Sequence, residues 1–326
     1  MISERMKNRY TAFIGLLMGL AEVVPGVSGG TIAFVGGIYE RFINAIKGID
    51  STALSFLLKG RFQEFSRKID LLFLTFLLGG MAVGLVVGVF GISYLLDHHP
   101  VGIWSFFFGL ILASSIYLGS LIPHWDVRIV FSVLVGAGVA YWITVQSPSV
   151  GQDALWAYFL SGAIAISAMI LPGISGSFVL LLLGMYSLVL TQAKKFLGGF
   201  EMEAFVKIIV FGVGVLVGVG LFSRVLSWLF QKYKYTTYAV LTGFVFGSLN
   251  KIWPWKRASL GQDEFGDLVD LRGSDVVPEG IRVFREENLS PFHEAVREPH
   301  LLSAIIMGIL GVALILFLSK VERNKI

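Results

Sequence analysis

Long apolar stretches separated by short charged ones run through this chain of 326 residues. A helix crossing hydrocarbon needs roughly 20 mostly apolar residues. Six stretches approach or meet that length: 71–96, 101–122, 128–146, 204–230, 236–250 and 301–319, the fifth being short. Two further apolar stretches, 11–47 and 157–193, are each interrupted by a cluster of proline, glycine and serine. Proline removes a backbone donor and breaks the helix, and in lipid the freed groups must find protein, water or a ligand. Each interrupted stretch is therefore predicted to be a helix-turn-helix hairpin that re-enters the membrane.

The two interruptions are copies of one another. Pro25-Gly26-Val27-Ser28-Gly29-Gly30 returns as Pro172-Gly173-Ile174-Ser175-Gly176-Ser177, and the same alignment matches Ala21 with Ala168, Gly37 with Gly184 and Tyr39 with Tyr186. At a shorter offset Gly80, Gly84, Ser93, Gly109 and Ser114 meet Gly214, Gly218, Ser227, Gly243 and Ser248. The chain reads as a duplication, with a first transmembrane repeat at 11–146 and a second at 157–320. A hairpin returns to its own side, and three crossings then turn the next copy over, so the repeats are expected to be inverted. The fold expected is an all-α polytopic membrane protein of two inverted-topology repeats, each a broken hairpin plus three transmembrane helices.

Composition agrees, with 55% hydrophobic residues, 15% charged residues and a mean hydropathy of +0.77, far from a soluble globular protein. No removable signal peptide is read at the start of the chain. The lack of cysteine excludes disulfides and thiolate chemistry. Charge placement orients the segments. With 1–10 and the tail 321–326 in the cytoplasm, Arg5, Lys7, Arg9, Lys59, Arg61, Arg67, Lys68, Lys232, Lys234, Lys320, Arg323 and Lys325 all lie inside, as the positive-inside rule requires. Lys194, Lys195 and Lys207 fall on the other side, offset in part by Glu201 and Glu203. The polar stretch 251–299, with ten acidic and seven basic residues, is expected outside as a solvated loop or small cap, with Trp253 and Trp255 as interface anchors.

Candidate chemistry gathers at the two turns. Helices restarting near Thr31 and Phe178 would present N–H groups and partial positive charge to an anion, above all a phosphate. Gly26, Gly29, Gly30, Gly173 and Gly176 let a ligand approach the backbone, and Ser28, Thr31, Ser175 and Ser177 add hydroxyl groups. Inverted repeats would bring the turns together near the bilayer midplane. Gly80, Gly84, Gly109, Gly214, Gly218 and Gly243 are read instead as contacts between closely packed helices. Glu22 is the one acid inside the first hairpin, with Met169 at its place in the second. It is expected either to bind a proton or Na⁺ or to hydrogen-bond the broken backbone. Arg224, alone among apolar neighbours, could pair with a phosphate or snorkel to the surface. Glu40 and Arg41 sit at a helix end as interfacial residues, with Arg41 also able to meet an incoming phosphate.

The segments Ala21-Glu22-Val23-Val24-Pro25-Gly26-Val27-Ser28-Gly29-Gly30-Thr31 with Gly37-Ile38-Tyr39-Glu40, and Ala168 to Ser177 with Gly184-Met185-Tyr186, resemble the paired signatures of a bacterial family. This family was long catalogued as a domain of unknown function and is now described as polyprenyl-phosphate transporters. The resemblance covers nearly the whole chain apart from 251–299. It implies a flippase of the bacterial cytoplasmic membrane that recycles undecaprenyl phosphate from the outer to the inner leaflet for cell-envelope synthesis. Polyprenyl phosphate and the bilayer are then the expected partners, with no nucleic acid, a homo-oligomer left open, no catalytic residue or metal, no cofactor, and coupling to H⁺ or Na⁺. Two alternatives remain. One is an enzyme like the membrane undecaprenyl-pyrophosphate phosphatases, which have similar turns but carry an arginine in the motif, where this chain has Gly29-Gly30 and Gly176-Ser177. The other is a transporter of a small soluble anion.

Overall fold

The computed structural model describes residues 4–24, 26–199, 201–263, 268–272, 277–278, 280–296 and 298–323. Pro25, at the head of the first motif, and Lys325, in the expected cytoplasmic tail, lie outside them. The first interrupted stretch forms α1 (Glu4–Glu22), α2 (Gly29–Val35) and α3 (Tyr39–Lys47). Two short helices, α4 (Ser51–Leu58) and α5 (Phe62–Lys68), lead into α6 (Leu71–His98), α7 (Pro100–Ser120) and α8 (Val127–Val145). The second half repeats the order with α9 (Leu155–Ile170), α10 (Gly176–Leu182), α11 (Tyr186–Gly199), α12 (Met202–Lys232) and α13 (Lys234–Gly247). After a 3₁₀ turn at Ser248–Asn250 come β1 (Lys256–Gln262), β2 (Leu268–Asp270) and β3 (Arg282–Asn288), and then α14 (Leu301–Arg323).

Among the described residues α6, α7, α8, α12 and α14 are long and apolar enough to cross a bilayer, making this a multi-pass membrane protein. The stretch 236–250 is short, as its sequence indicates. It forms the 14-residue α13, extended by the 3₁₀ turn. Each hairpin differs from a simple helix-turn-helix because its returning limb breaks a second time, at Gly36-Gly37 and at Leu183-Gly184. In the second half that break bends the chain by 106° between α10 and α11.

Helix pairing follows the duplication. α1 packs on α6 as α9 packs on α12, while α7 pairs with α14 and α8 with α13, each pair joining the two halves. The six glycines expected from the sequence are among those that set these contacts. A Cβ at Gly80, Gly84, Gly214, Gly218, Gly109 or Gly243 would collide with the carbonyl oxygen of Ala12, Leu16, Phe159, Ala163, Gly308 or Val133 respectively. Small residues are the means of close approach where lipid supplies no hydrophobic drive between helices.

The largest core cluster is built around the first hairpin, with Ile14, Ile32, Tyr39, Ile43, Phe73, Leu77 and Ile111 almost wholly enclosed. All of α2 is buried, whereas in α10 only Gly176 and Phe178 are. The two copies therefore sit at different depths in the protein.

The polar stretch 251–299 is where helix gives way to sheet. β1 runs between β2 and β3, antiparallel to both. Trp253 and Trp255 fasten this cap rather than simply marking an interface, since their indole N–H groups donate to Leu289 O (2.8 Å) and Pro299 O (2.9 Å). The three lysines that break the charge pattern are partly neutralised. Lys195 pairs with Glu201 (3.5 Å), and the buried Lys207 lies between Asp153 (2.8 Å) and Glu203 (2.7 Å).

The glycine contacts give a direct comparison within one helix. Gly84→Ala should lower thermal stability in detergent micelles by roughly 1–3 kcal/mol through overpacking. Gly91→Ala, whose added Cβ meets open space, should be neutral or slightly stabilising.

Candidate functional site

The motif's backbone is duplicated as closely as its sequence. Gly26 has φ +88° and Gly173 φ +85°, and the later turn glycines Gly37 and Gly184 both have φ +66°. These left-handed positions would strain any residue with a Cβ. Ser28 and Ser175 follow in extended conformation (φ −115° and −94°) and lead into α2 and α10. Both restarted helices are only seven residues long.

The two turns meet. Where α9 ends, the carbonyls of Ile170 and Leu171 have no further turn of helix to supply their donors. Tyr39 Oη donates to Ile170 O (2.9 Å) and Ser28 Oγ to Leu171 O (3.2 Å). In the reverse direction Gly173 N–H donates to Thr31 Oγ1 (3.0 Å), a fully buried hydroxyl. Gly30 lies directly against the Ile170 carbonyl. Within the first turn Gly29 N–H donates to Glu22 Oε1 (2.9 Å), so of the two roles expected for Glu22 the geometry displays the backbone one.

The remaining candidates divide by location. Ser175 and Ser177 share a hydrogen bond between hydroxyls (2.9 Å) in the second turn, and Gly176 lies against Ala165 O and Met169. Gly173 faces Phe244 and Val245 of α13, and Gly26 lies against Lys251 and Ile252 at the start of the cap. Arg41 and Arg224 are engaged elsewhere. Arg41 forms a two-point pair with Asp70 (2.6 and 3.1 Å) and covers the Phe73 ring. Arg224 donates to Gly220 O of its own helix (2.6 Å) and is exposed. Glu40 accepts from Tyr238 Oη (2.8 Å) and pairs with Lys234 (3.3 Å).

Two residues at the turns escaped the sequence reading. Tyr39 was matched to Tyr186 by the repeat, but nothing in that match says that its hydroxyl closes the far hairpin. Lys251 follows an apolar stretch and precedes two tryptophans, a pattern shared by ordinary interfacial lysines. The arrangement also includes an apolar groove of about 360 Å³ between α12 and α13, lined by Phe222, Leu226, Leu229, Leu241 and Phe244. It reaches Leu171, so it begins at the second turn. Among the described residues no cluster of His, Asp and Glu is arranged to hold a metal. The site offers hydroxyls, turn amides and an adjoining apolar channel, which suits a ligand with a small polar head and a long apolar body.

Comparison with known proteins follows the same line. A family model described as undecaprenyl phosphate translocase-like matches residues 18–268. A Vibrio cholerae protein named polyprenyl-phosphate transporter is 39% identical over 324 residues, 98% of this chain and 99% of its own length. At that coverage the alignment runs through the cap. A Staphylococcus aureus protein of the same name is 32% identical over 256 residues, 74% of this chain and 84% of its own. No solved structure matches this chain significantly.

The bonds between the turns differ in what their loss leaves behind. Thr31→Val keeps the shape but strands the Gly173 N–H, which should lower stability by roughly 1–3 kcal/mol. Ser28→Ala should cost less, about 0.5–1.5 kcal/mol, because Leu171 O also accepts from Ile174 N (3.4 Å). Thermal unfolding of both variants in detergent would check the ranking.

Proposed function

The chain belongs to the undecaprenyl phosphate translocase-like family, and on that premise we propose that it carries polyprenyl phosphate across the bacterial cytoplasmic membrane. The direction is from outer to inner leaflet, returning the carrier lipid for cell-envelope synthesis. The observation that carries this reading is the meeting of the two turns, whose polar groups satisfy one another through Ser28, Thr31, Leu171 and Gly173. If the halves part, the Ser28 hydroxyl and the Gly173 N–H become donors for a phosphate oxygen, with Ser175 and Ser177 beside them. The same glycines that let the turns touch then let the phosphate reach the backbone.

The lipid tail need not enter the polar site. It follows the apolar groove between α12 and α13 that starts at Leu171, remaining in hydrocarbon while the head passes between the repeats. The repeats are inverted in this reading, with both termini cytoplasmic and the cap outside. Exchange of partners between the halves, α7 with α14 and α8 with α13, supports a two-fold relation, and rocking of one half on the other gives alternating access.

A phosphate monoester carries about 1.5 to 2 negative charges at neutral pH. Moving it inward opposes the membrane potential by about 2.3 kcal/mol per charge per 100 mV, so inward transport gains from a co-transported cation. Glu22 is the coupling group in this proposal. Protonation would weaken its charge-assisted bond from Gly29 N–H and so loosen the first turn.

The alternatives have less support. Phosphate ester cleavage calls for a phosphate-clamping arginine at the turns, and Arg41 and Arg224 are engaged away from them, while Glu22 accepts the Gly29 N–H. A small soluble anion would leave the apolar groove without a role.

Reconstituted vesicles provide the test. The protein should accelerate leaflet exchange of undecaprenyl phosphate without releasing phosphate, and Ser28→Leu or Ser175→Leu should abolish exchange while the protein stays in the membrane. Normal exchange in both variants would overturn the assignment of the turns. Glu22→Gln should slow exchange at least tenfold and remove its dependence on an imposed proton or Na⁺ gradient; retention of a normal gradient response would remove Glu22 from the coupling role.

A further inference from the structure

The cap brings a second group of polar residues to the first turn. Lys251 lies against Gly26 and close to the Phe178 ring at the start of α10. Its ammonium shares one carboxylate oxygen, Glu286 Oε2, with a second ammonium, Lys256, at 3.2 and 3.5 Å. Lys256 is the unusual member. Its side chain is only 6% exposed and its ammonium sits 3.4 Å above the centre of the Trp104 ring. At 3.5 Å the Glu286 contact is an ion pair without a well-formed hydrogen bond, and among the described residues the ammonium has no hydrogen-bond partner. Beside it Arg257, whose guanidinium pairs with Glu287 at 3.9 Å, buries an Nε–H that has no hydrogen-bond partner among the described residues.

Burying an ammonium that lacks its hydrogen bonds is costly. Burial lowers Lys256 to about 8, against the pull of Glu286. Glu286 is held below its usual carboxylate value: burial would raise it, but the charges of Lys256 and Lys251 prevail. Glu286 also separates two cavities. One, of about 350 Å³, is lined by Trp104, Trp255, Lys256 and Arg257. The other, of about 180 Å³, is lined by Phe178, Asn250, Lys251 and Arg285. Among the described residues that line this pair of cavities, Lys251, Lys256, Arg257 and Arg285 outnumber the acids Glu286 and Glu287. Tryptophan rings, the Lys256 side chain and the Arg257 guanidinium line one cavity, which sets two cations against an apolar wall.

We propose that the larger cap cavity is a phosphate-binding site separate from the turns, in which Lys256 and Arg257 hold the anion and Lys251 links it to Gly26. It is a waiting position for the head group before the turns open. The proposal rests on the transporter reading for the carrier of the phosphate, but not for the recognition of phosphate itself. The phosphate can arrive on a lipid or free, and the two probes below separate these sources.

The test is titration calorimetry of the full chain in detergent micelles with inorganic phosphate and with farnesyl phosphate. Lys256→Gln and Arg257→Gln should each weaken farnesyl phosphate binding by about tenfold, the scale of a lost charge-assisted hydrogen bond. Arg272→Gln, at an exposed cap residue paired with Asp270, should change nothing. Equal weakening of inorganic phosphate would show that the head group alone is recognised; weakening of the farnesyl compound alone would show that the lipid is the ligand. Should Lys256→Gln fail to fold, Arg257→Gln decides. Unchanged affinity in the folded variants, an equal effect of Arg272→Gln, or no binding of either probe by the unaltered chain would overturn the proposal. Because binding is measured without transport, a protein that binds phosphate through Lys256 yet moves no lipid would retain the cap site and lose the transporter reading.

Discussion

A helix broken inside hydrocarbon leaves backbone groups that neither lipid nor a further helical turn can satisfy. This requirement organises the molecule. The end of α9 exposes the Ile170 and Leu171 carbonyls, and the first hairpin answers with Tyr39 and Ser28. The amide of Gly173 turns outward at φ +85°, and Thr31 accepts it. The two halves are thus joined at the points where each would otherwise be unstable alone. A junction of this kind holds firmly in one arrangement and offers ready polar partners in another, which is the property a transport site needs.

The junction is possible because the helices around it come unusually close. Gly80 and Gly84 admit the carbonyls of α1, Gly214 and Gly218 those of α9, and Gly109 and Gly243 join one half to the other. With Cβ atoms at these contacts the broken hairpins would be held too far apart for a serine hydroxyl to reach across. Packing at ordinary glycines and hydrogen bonding at special ones are therefore parts of one arrangement, although only the turn glycines adopt a conformation that other residues avoid.

Duplication preserved the backbone and let the side chains diverge. Glu22, Thr31 and Tyr39 act at the junction, while Met169, Phe178 and Tyr186 take their places in the second copy. Phe178 instead lies near Lys251, and Tyr186 is exposed. In the first hairpin α2 is wholly buried, whereas α10 of the second is only partly covered, beside the groove and beneath the cap. The asymmetry separates a buried scaffold from an accessible half, and it places Lys251 of the cap next to both turns.

The membrane character, five of the six long apolar stretches with their rough limits, the broken hairpins and the repeated motif were legible in the sequence. Each depends on local pattern: apolar length, proline and glycine punctuation, and self-similarity at a fixed spacing. The six packing glycines were legible for the same reason, as small residues recurring in otherwise bulky helices. The second break in each hairpin was missed because Gly36-Gly37 and Gly184 lie in apolar sequence that reads equally well as continuous helix. The cap sheet was missed because short strands in a mixed polar segment carry little periodicity. What only the tertiary structure decided is partnership: Arg41 to Asp70, Tyr39 to Ile170, Glu22 to Gly29, and Lys251 and Lys256 to one carboxylate. Such pairings join residues as far as 198 positions apart, as between Glu40 and Tyr238, and a linear pattern specifies which groups need a partner without specifying which partner folding will supply.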